Sequence, residues 1–363
     1  MANEWSPDEA GGPATPPTTL VWHVLSPHER DWIRYLLNGA VDSELTDLEL
    51  KLPRGNAIHV VSSNTRPLMS FDPYFRACKR LGGRLVLIHI NDEWISGGYR
   101  LYRHFDYVLR IYPTWLARSP GILTIPLGYP NLTPASPSPK PASARQYAWS
   151  FDGLVKSSRP EMIAAMRRIE PHVALDTGTR RSIDSERLSK ETYDRLLSES
   201  AFVPCPMGNA TLETCRLYEA LEAGAIPLIE RRLSMDYYRE LLGEHPIPTF
   251  RTWDTAARFC RGLLADPAGL DSLQTTIMAW WGAKKEDVRA TVLECVRQPD
   301  SRAALRAFAL QPANRSGAIF EPLRLVELVR HQTARSLLRR LRRPRAIIRR
   351  IWRDNRSSPL PLR

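Results

Sequence analysis

Glu213, Arg216, Glu219 and Glu222 recur at every third residue within "CPMGNATLETCRLYEALEAGAIPLI", residues 205–229. That spacing spirals slowly around a helix, so the four groups share a broad side of it. A glycine-containing loop precedes them, and before the loop stands an apolar run, "AFVPCP" (201–206). A helix starting at the carboxyl end of a strand offers free backbone N–H groups and a positive dipole, which suit a phosphate. An ionised carboxylate within reach can accept two sugar hydroxyls at once. Gly208, Asn209, Thr211, Glu213, Arg216 and Glu219 are therefore candidate ligand-binding residues. The plainer reading of the same residues is a solvated helix face, with Glu–Arg pairs worth about 0.2–0.5 kcal/mol each.

Two further stretches carry usable chemistry. "WSFDGLVKSSRPEM" places Gly153, Lys156 and Arg159 just after an apolar run. Fixed cations there would neutralise a leaving diphosphate, whereas an ordinary loop would simply solvate them. "HINDEW" (89–94) ends another apolar run, and Asp92 or Glu93 there could take the proton of an attacking hydroxyl. Alternatively Asn91 or Asp92 only caps the next helix. The chain has no Asp-x-Asp, no HExxH and no metal-spaced His/Cys cluster, so metal-free chemistry without a resident cofactor is expected. It also lacks G-x-G-x-x-G and G-x-x-x-x-G-K, which excludes nicotinamide and P-loop readings.

The elements that must position these residues alternate along the chain. Apolar runs at 20–25, 57–63, 84–90, 107–112 and 122–128 read as strands, with helical patterns near 28–37, 72–81 and 94–103. A Pro/Ser-rich stretch, 130–146, reads as a linker. Strands are then expected at 147–153, 172–178, 201–206, 225–230 and 247–250. Helices are expected at 159–169, 189–198, 211–223, 234–242 and 253–264. Asn209 or Thr211 would cap the helix over 211–223, and Gly224 would end it. Continuous Val/Ile/Leu runs imply strands covered on both faces, hence parallel sheets. The fold expected is α/β, two doubly wound Rossmann-like domains facing a cleft, with ligands at the carboxyl ends of the strands. The boundaries expected are a disordered leader (1–19), a first Rossmann-like domain (20–129), the linker (130–146), a second Rossmann-like domain with C-terminal helices (147–334) and an Arg-rich tail (335–363).

Charge is concentrated in that tail. Residues 335–363 hold eleven arginines and one aspartate, a net +10 of the chain's +12. The remaining 40 basic and 38 acidic groups nearly cancel, which argues against a nucleic-acid groove. Arginines interleaved with Leu337, Leu341, Ile348, Ile351 and Trp352 suit an anionic membrane surface, although Pro344 would break a helix there. A disordered basic tail is the alternative. The first nineteen residues have neither a basic n-region nor an apolar h-region, and no run of about 18 apolar residues exists. Five cysteines without CxxC spacing fit a reducing compartment.

The stretch 205–229 resembles the signature of exostosin-like glycosyltransferases at Cys205, Pro206, Gly208, Arg216, Tyr218, Glu219, Ala220, Leu221, Glu222, Ala223, Gly224, Ile226 and Pro227. "HINDEW", "YVLRIY" (107–112), "IPLGY" (125–129), "YAWSFDG" (147–153) and "MAWWGAKK" (278–285) are similar to the ribitol xylosyltransferase branch. The resemblance implies a GT-B-type fold and an inverting transfer from a nucleotide-diphosphate sugar, usually UDP-linked. It also implies that the donor sits on the C-terminal domain and the acceptor on the N-terminal one. Glu219 would hold the ribose hydroxyls and Arg216 would face the pyrophosphate. The function expected is a cytoplasmic glycosyltransferase, peripheral at the inner face of a membrane, acting on a glycan or lipid-linked glycan. A nucleotide-sugar epimerase would need no acceptor. A non-catalytic nucleotide- or glycan-binding protein would release no UDP.

Overall fold

The computed structural model describes residues 16–63, 68–93, 99–113, 121–177, 188–208, 211–232 and 237–297. The chain divides into two compact units, one of residues 1–126 with 285–314, the other of residues 127–284 with 315–363.

The first unit holds a wholly parallel sheet of β1 (Thr18–Trp22), β2 (Ser43–Thr46), β3 (Asn56–Ser62), β4 (Leu85–Ile90), β5 (Tyr107–Ile111) and β6 (Ile122–Ile125). Its order is β2-β1-β3-β4-β5-β6. Every residue of β3 to β6 is buried, which is why these strands read as unbroken apolar runs and not as alternation. Helix α1 (Arg30–Leu37) turns Trp32, Ile33, Leu36 and Leu37 inward, and α2 (Asp72–Arg80) does the same with Tyr74, Phe75 and Cys78. Strand β2, "SELT", was not expected, because all four residues are exposed and supply no apolar signal. It is held by its register with β1, and by Glu44, which accepts from Trp22 Nε1 at 2.7 Å.

The second unit holds β7 (Tyr147–Gly153), β8 (His172–Asp176), β9 (Ser200–Cys205), β10 (Ile226–Glu230) and β11 (Thr249–Phe250), again all parallel, in the order β11-β10-β9-β7-β8. Helices α3 (Arg159–Met166), α4 (Lys190–Ser198), α5 (Cys215–Glu222), α6 (Tyr237–Leu242), α7 (Trp253–Leu264) and α8 (Pro267–Arg297) accompany it. The two parallel α/β sheets are the fold class expected.

The expected boundaries shift. The stretch 130–146 is built into the second unit and does not act as a loose linker. Arg145 donates to the carbonyls of Leu197, Ser200, Ala223 and Gly224, and Gln274 joins Ala142 N to Gly224 O. Gly224 ends α5 at φ +65°, and a Cβ there would lie 2.6 Å from Pro139 Cγ, so both conformation and space require glycine. Helix α8, expected only as one of the C-terminal helices within 147–334 and given no bounds of its own, leaves the second unit at Lys284, and its last residues belong to the first. There Glu286 accepts from Tyr35 OH at 2.7 Å, and Arg84 donates to the carbonyls of Val296 and Arg297. Residues 94–98 of the helix expected over 94–103 lie outside the described residues, and Tyr99–His104 is a 3-10 turn. The leader through residue 15 and the tail 335–363 also lie outside them.

Each sheet reverses direction at one place. In the first, the chain runs from β1 outward to β2 and then back past β1 to β3. In the second it runs from β7 to β8 and back to β9. The crevices β1/β3 and β7/β9 are the topological switch points at which open parallel sheets bind ligands.

Candidate functional site

The residues singled out in the second unit gather at its switch point. Strand β7 ends at Asp152–Gly153, and the loop after it carries Lys156, half-buried, and Ser157 at φ +54°. Val155 N donates to Asp176 Oδ1 at 3.0 Å, which fastens this loop to β8. Ser158 Oγ, at the start of α3, donates to Glu230 at the end of β10. Glu230 also accepts from Trp253 Nε1 at 3.0 Å and Arg232 Nε at 2.9 Å, so one buried carboxylate ties β10, α3 and α7 together.

Arg159 is buried and bridges the two switch-point loops. Its Nη1 donates to Leu154 O at 2.7 Å and its Nη2 to Met207 O at 3.3 Å. It acts as a staple between loops, which differs from the open cation expected. On the β9 side, Gly208 N donates to Thr211 O at 2.8 Å, and Thr211 Oγ1 donates to Glu213 O at 3.3 Å. Helix α5 starts only at Cys215, with Thr214 in the N-cap position, so Thr211 belongs to the loop and does not cap the helix. Asn209 lies outside the described residues.

Glu213 differs most from its expected place. It is 1% exposed, and its carboxylate accepts from Leu127 N (2.7 Å), Tyr218 OH (2.5 Å) and Tyr237 OH (2.8 Å). A carboxylate so enclosed orders the loop from inside. Glu222 is likewise buried, and accepts from Trp281 Nε1 at 2.8 Å. Of the four charges of the spiral, Glu213, Arg216 and Glu222 are buried and Glu219 is half-buried.

Arg216 and Glu219 remain. Arg216 reaches from the first turn of α5 to the end of β7, where Nη2 donates to Asp152 O at 2.5 Å. Its guanidinium carbon stands 4.4 Å from the centroid of the Phe151 ring, a cation–π contact, and its Nε has no hydrogen-bond partner among the described residues. Gly153 is what lets it pass, since a Cβ there would lie 2.8 Å from Nη2. Glu219, one turn along, is half-buried and accepts from Tyr193 OH of α4 at 2.9 Å. Burial pushes its pKa above the ordinary 4.5, while Tyr193 and then Arg216 pull it back. Tyr193 had no signal in the sequence, because its link to Glu219 spans 26 residues.

In the first unit, Asp92 follows β4 and is fully buried. It accepts from Arg110 Nη2 (3.0 Å) and Tyr99 OH (3.0 Å) at Oδ2, and from Ser63 Oγ (3.3 Å) at Oδ1. Ser63 Oγ also meets His89 Nε2 at 2.7 Å, His89 Nδ1 meets Tyr102 OH at 2.6 Å, and Arg110 Nη1 donates to Tyr102 OH at 3.1 Å. The hydroxyl of Ser63 spends its one proton on Asp92, so His89 must donate from Nε2 and accept at Nδ1. Arg110, Tyr102, His89, Ser63 and Asp92 then close a ring in which each proton has one direction. Burial, and next the Arg110 cation, hold the His89 pKa down to about 4, so the ring is neutral at that residue at pH 7. Asp92, expected as a proton acceptor, is instead an enclosed ion-pair partner. Glu93, beside it, is half-buried. Among the described residues no group of three or more His, Cys, Asp or Glu is placed to hold a metal ion.

Residues 128–252 match the family model described as the RXYLT1 C-terminal domain. No curated protein sequence matches the chain. Solved structures with similar folds include an α1,3-fucosyltransferase, at 12% identity and a TM-score of 0.45, with 79% of this chain and 93% of that one covered. Another is Anabaena Alr3699/HepE in complex with UDP and glucose, at 10% identity and a TM-score of 0.47, covering 77% of this chain and 99% of that one. A third is T4 phage BGT in complex with UDP and Mn²⁺, at 9% identity and a TM-score of 0.42, with coverage of 77% and 99%. The family match contains the whole of α5 and both switch-point loops of the second unit. From residue 128 to 252 the chain is similar to the exostosin-like glycosyltransferases of the ribitol xylosyltransferase branch.

Proposed function

We propose that the protein is a glycosyltransferase that moves a sugar from a nucleotide-diphosphate sugar, UDP-linked, to a hydroxyl of a glycan or lipid-linked glycan. One observation supports this above the others. Arg216 is fixed at the β7/β9 switch point, inside the segment that matches the family, with a buried Nε that has no hydrogen-bond partner among the described residues. A planar cation held there needs no reorganisation to meet a diphosphate, and it stabilises the charge that develops on the leaving group. Gly208 and Lys156 line the same two loops. Glu219, oriented by Tyr193, is suited to paired ribose hydroxyls.

Transfer by direct displacement would invert the anomeric centre. The acceptor oxygen bonds to the anomeric carbon, and the bond from that carbon to the diphosphate breaks with its electrons leaving on phosphate. With Arg216 and Lys156 on the loops that would face the leaving group, the transfer would need no metal ion. The arginine-rich segment 335–363 would hold the protein against an anionic membrane face, near a lipid-linked acceptor. No helix among the described residues is long and apolar enough to cross a membrane.

The test is UDP release from a panel of UDP-sugars, with and without acceptor glycans, in buffer containing EDTA. Release that rises with acceptor, for one sugar above the rest, is the expected result. UDP binding without release from any donor would leave a binding protein. Interconversion of the donor without acceptor would leave an epimerase. Activity lost in EDTA and restored by Mg²⁺ or Mn²⁺ would overturn metal independence.

A further inference from the structure

Four arginines among the described residues are buried: Arg110, Arg145, Arg159 and Arg216. A guanidinium taken out of water needs acceptors for its N–H groups or a partner for its charge. Arg110 has the Asp92 carboxylate at 3.0 Å. Arg145 donates to the carbonyls of Lys140, Leu197, Ser200, Ala223 and Gly224. Arg159 donates to the carbonyls of Leu154 and Met207. Arg216 is the contrast. Its one hydrogen bond goes to Asp152 O, and it makes no ion pair among the described residues.

A ring takes the place of a carboxylate. Phe151, on β7, is 1% exposed and stands in register with Ala174 of β8, so its own position is set by the sheet. The guanidinium carbon of Arg216 lies 4.4 Å from its centroid, and that of Arg159 lies 5.9 Å from the same centroid. The electron-rich face of an aromatic ring attracts a cation, and the attraction grows when both are desolvated. A carboxylate at this place would hold the arginine too, but it would cancel the charge and occupy the N–H fork that a phosphate needs. The ring holds the cation and brings no charge of its own.

We propose that Phe151 is a positioning residue of the donor site: its ring face fixes the Arg216 guanidinium while leaving the charge for the diphosphate. The inference rests on the transferase reading above, and it lies wholly within the second unit. It assigns a role in ligand binding to a side chain that carries no polar group.

The experiment uses the full chain and UDP as the probe, with affinity read by calorimetry. Phe151 is exchanged for its mono-, di- and trifluorinated analogues by nonsense suppression. Fluorine drains negative charge from the ring face while the ring keeps nearly the same size, so packing is preserved. The UDP Kd should rise at each step, by about three- to tenfold over the series, with the melting temperature within a few degrees of the parent's. Phe151→Leu, apolar but without a π face, should fall at the weak end of that range. In an Arg216→Ala background the same fluorine series should change the UDP Kd less than about twofold, because the cation that reads the ring is gone. A Kd constant across the series, or a fluorine effect of equal size with and without Arg216, would overturn the inference while the transferase reading stands. A parent protein that binds no UDP would overturn both.

Discussion

Nη2 of Arg216, in the first turn of α5, lies 2.5 Å from the carbonyl oxygen of Asp152, at the end of β7. That bond spans the point where the second sheet reverses direction, and it sets the guanidinium before any ligand arrives. The side chain is 9% exposed and stacks on Phe151, so most of its conformational entropy is already spent. A diphosphate would then gain charge-assisted hydrogen bonds of roughly 1.5–3 kcal/mol each. Arg216→Ala should therefore weaken UDP binding by about 10- to 100-fold in calorimetry, with the circular dichroism spectrum unchanged. Arg216→Lys should recover little, because a point charge cannot reproduce a planar fork. UDP affinity equal to the parent's would reject the phosphate role.

Gly153→Ala asks whether the position of Arg216 matters as well as its charge. The added Cβ would fall 2.8 Å from Arg216 Nη2 and 3.3 Å from the Phe151 ring, and the flexible guanidinium is what must give way. UDP affinity should drop toward that of Arg216→Ala while the melting temperature changes by only a few degrees. Parent-like affinity would mean that the cation binds from more than one position.

The sequence made the sheets legible because strands covered on both faces must be apolar throughout. Runs such as "LVLIHI" and "AIPLI" show that signal directly. The sequence concealed β2, whose four exposed residues carry no apolar signal and whose Glu44 is fastened by Trp22 and Arg34, and the extent of α8, whose residues serve two units in turn. At the site, the loop–helix stretch 205–229 was recognisable as a pattern, but the pattern does not say which charges are inside. Glu213 and Glu219 look alike in sequence. One is closed within Tyr218 and Tyr237, and the other keeps partial exposure against Tyr193. Partners such as Tyr193, Ser63 and Arg110 come from distant positions and leave no local mark. Asp92 seemed suited to catalysis because its burial is set by Arg110, 18 residues on.

The Arg110–Asp92 pair gives a stability prediction with little bearing on donor binding. Both side chains are essentially inaccessible, at 1% and 0% exposure. Removing one partner of a buried pair strands the other, typically at 3–5 kcal/mol. Arg110→Ala should lower the melting temperature by roughly 6–20 °C, taking about 2–4 °C per kcal/mol for a unit of this size. The milder Asp92→Asn keeps the shape of the ring and should cost less. Neither variant should change UDP affinity if the protein is assayed well below its new melting point. A melting temperature within a degree or two of the parent's in Arg110→Ala would mean that the ring contributes nothing to the fold.

Tyr193 and Glu219 give the pH prediction. Burial raises the Glu219 pKa above 4.5. The Tyr193 hydroxyl, the Arg216 cation and Lys190 oppose that rise, and Asp194 adds to it. Only the ionised carboxylate can accept two ribose hydroxyls, so donor binding should weaken as pH falls through the Glu219 pKa. Because that pKa lies above the ordinary value, the loss should begin at a higher pH than an exposed glutamate would give. Tyr193→Phe removes a hydrogen bond that favours the ionised form, which raises the pKa further. Tyr193 stays protonated throughout, since burial drives its own pKa well above 10, so it contributes no titration of its own. The donor KM measured against pH should therefore show an acid limb in the parent and the same limb displaced to higher pH in Tyr193→Phe, with the two curves converging at high pH apart from a small constant loss. A limb that stays in place would mean that Tyr193 does not govern Glu219. A KM independent of pH across the carboxylate range would remove Glu219 from the donor site.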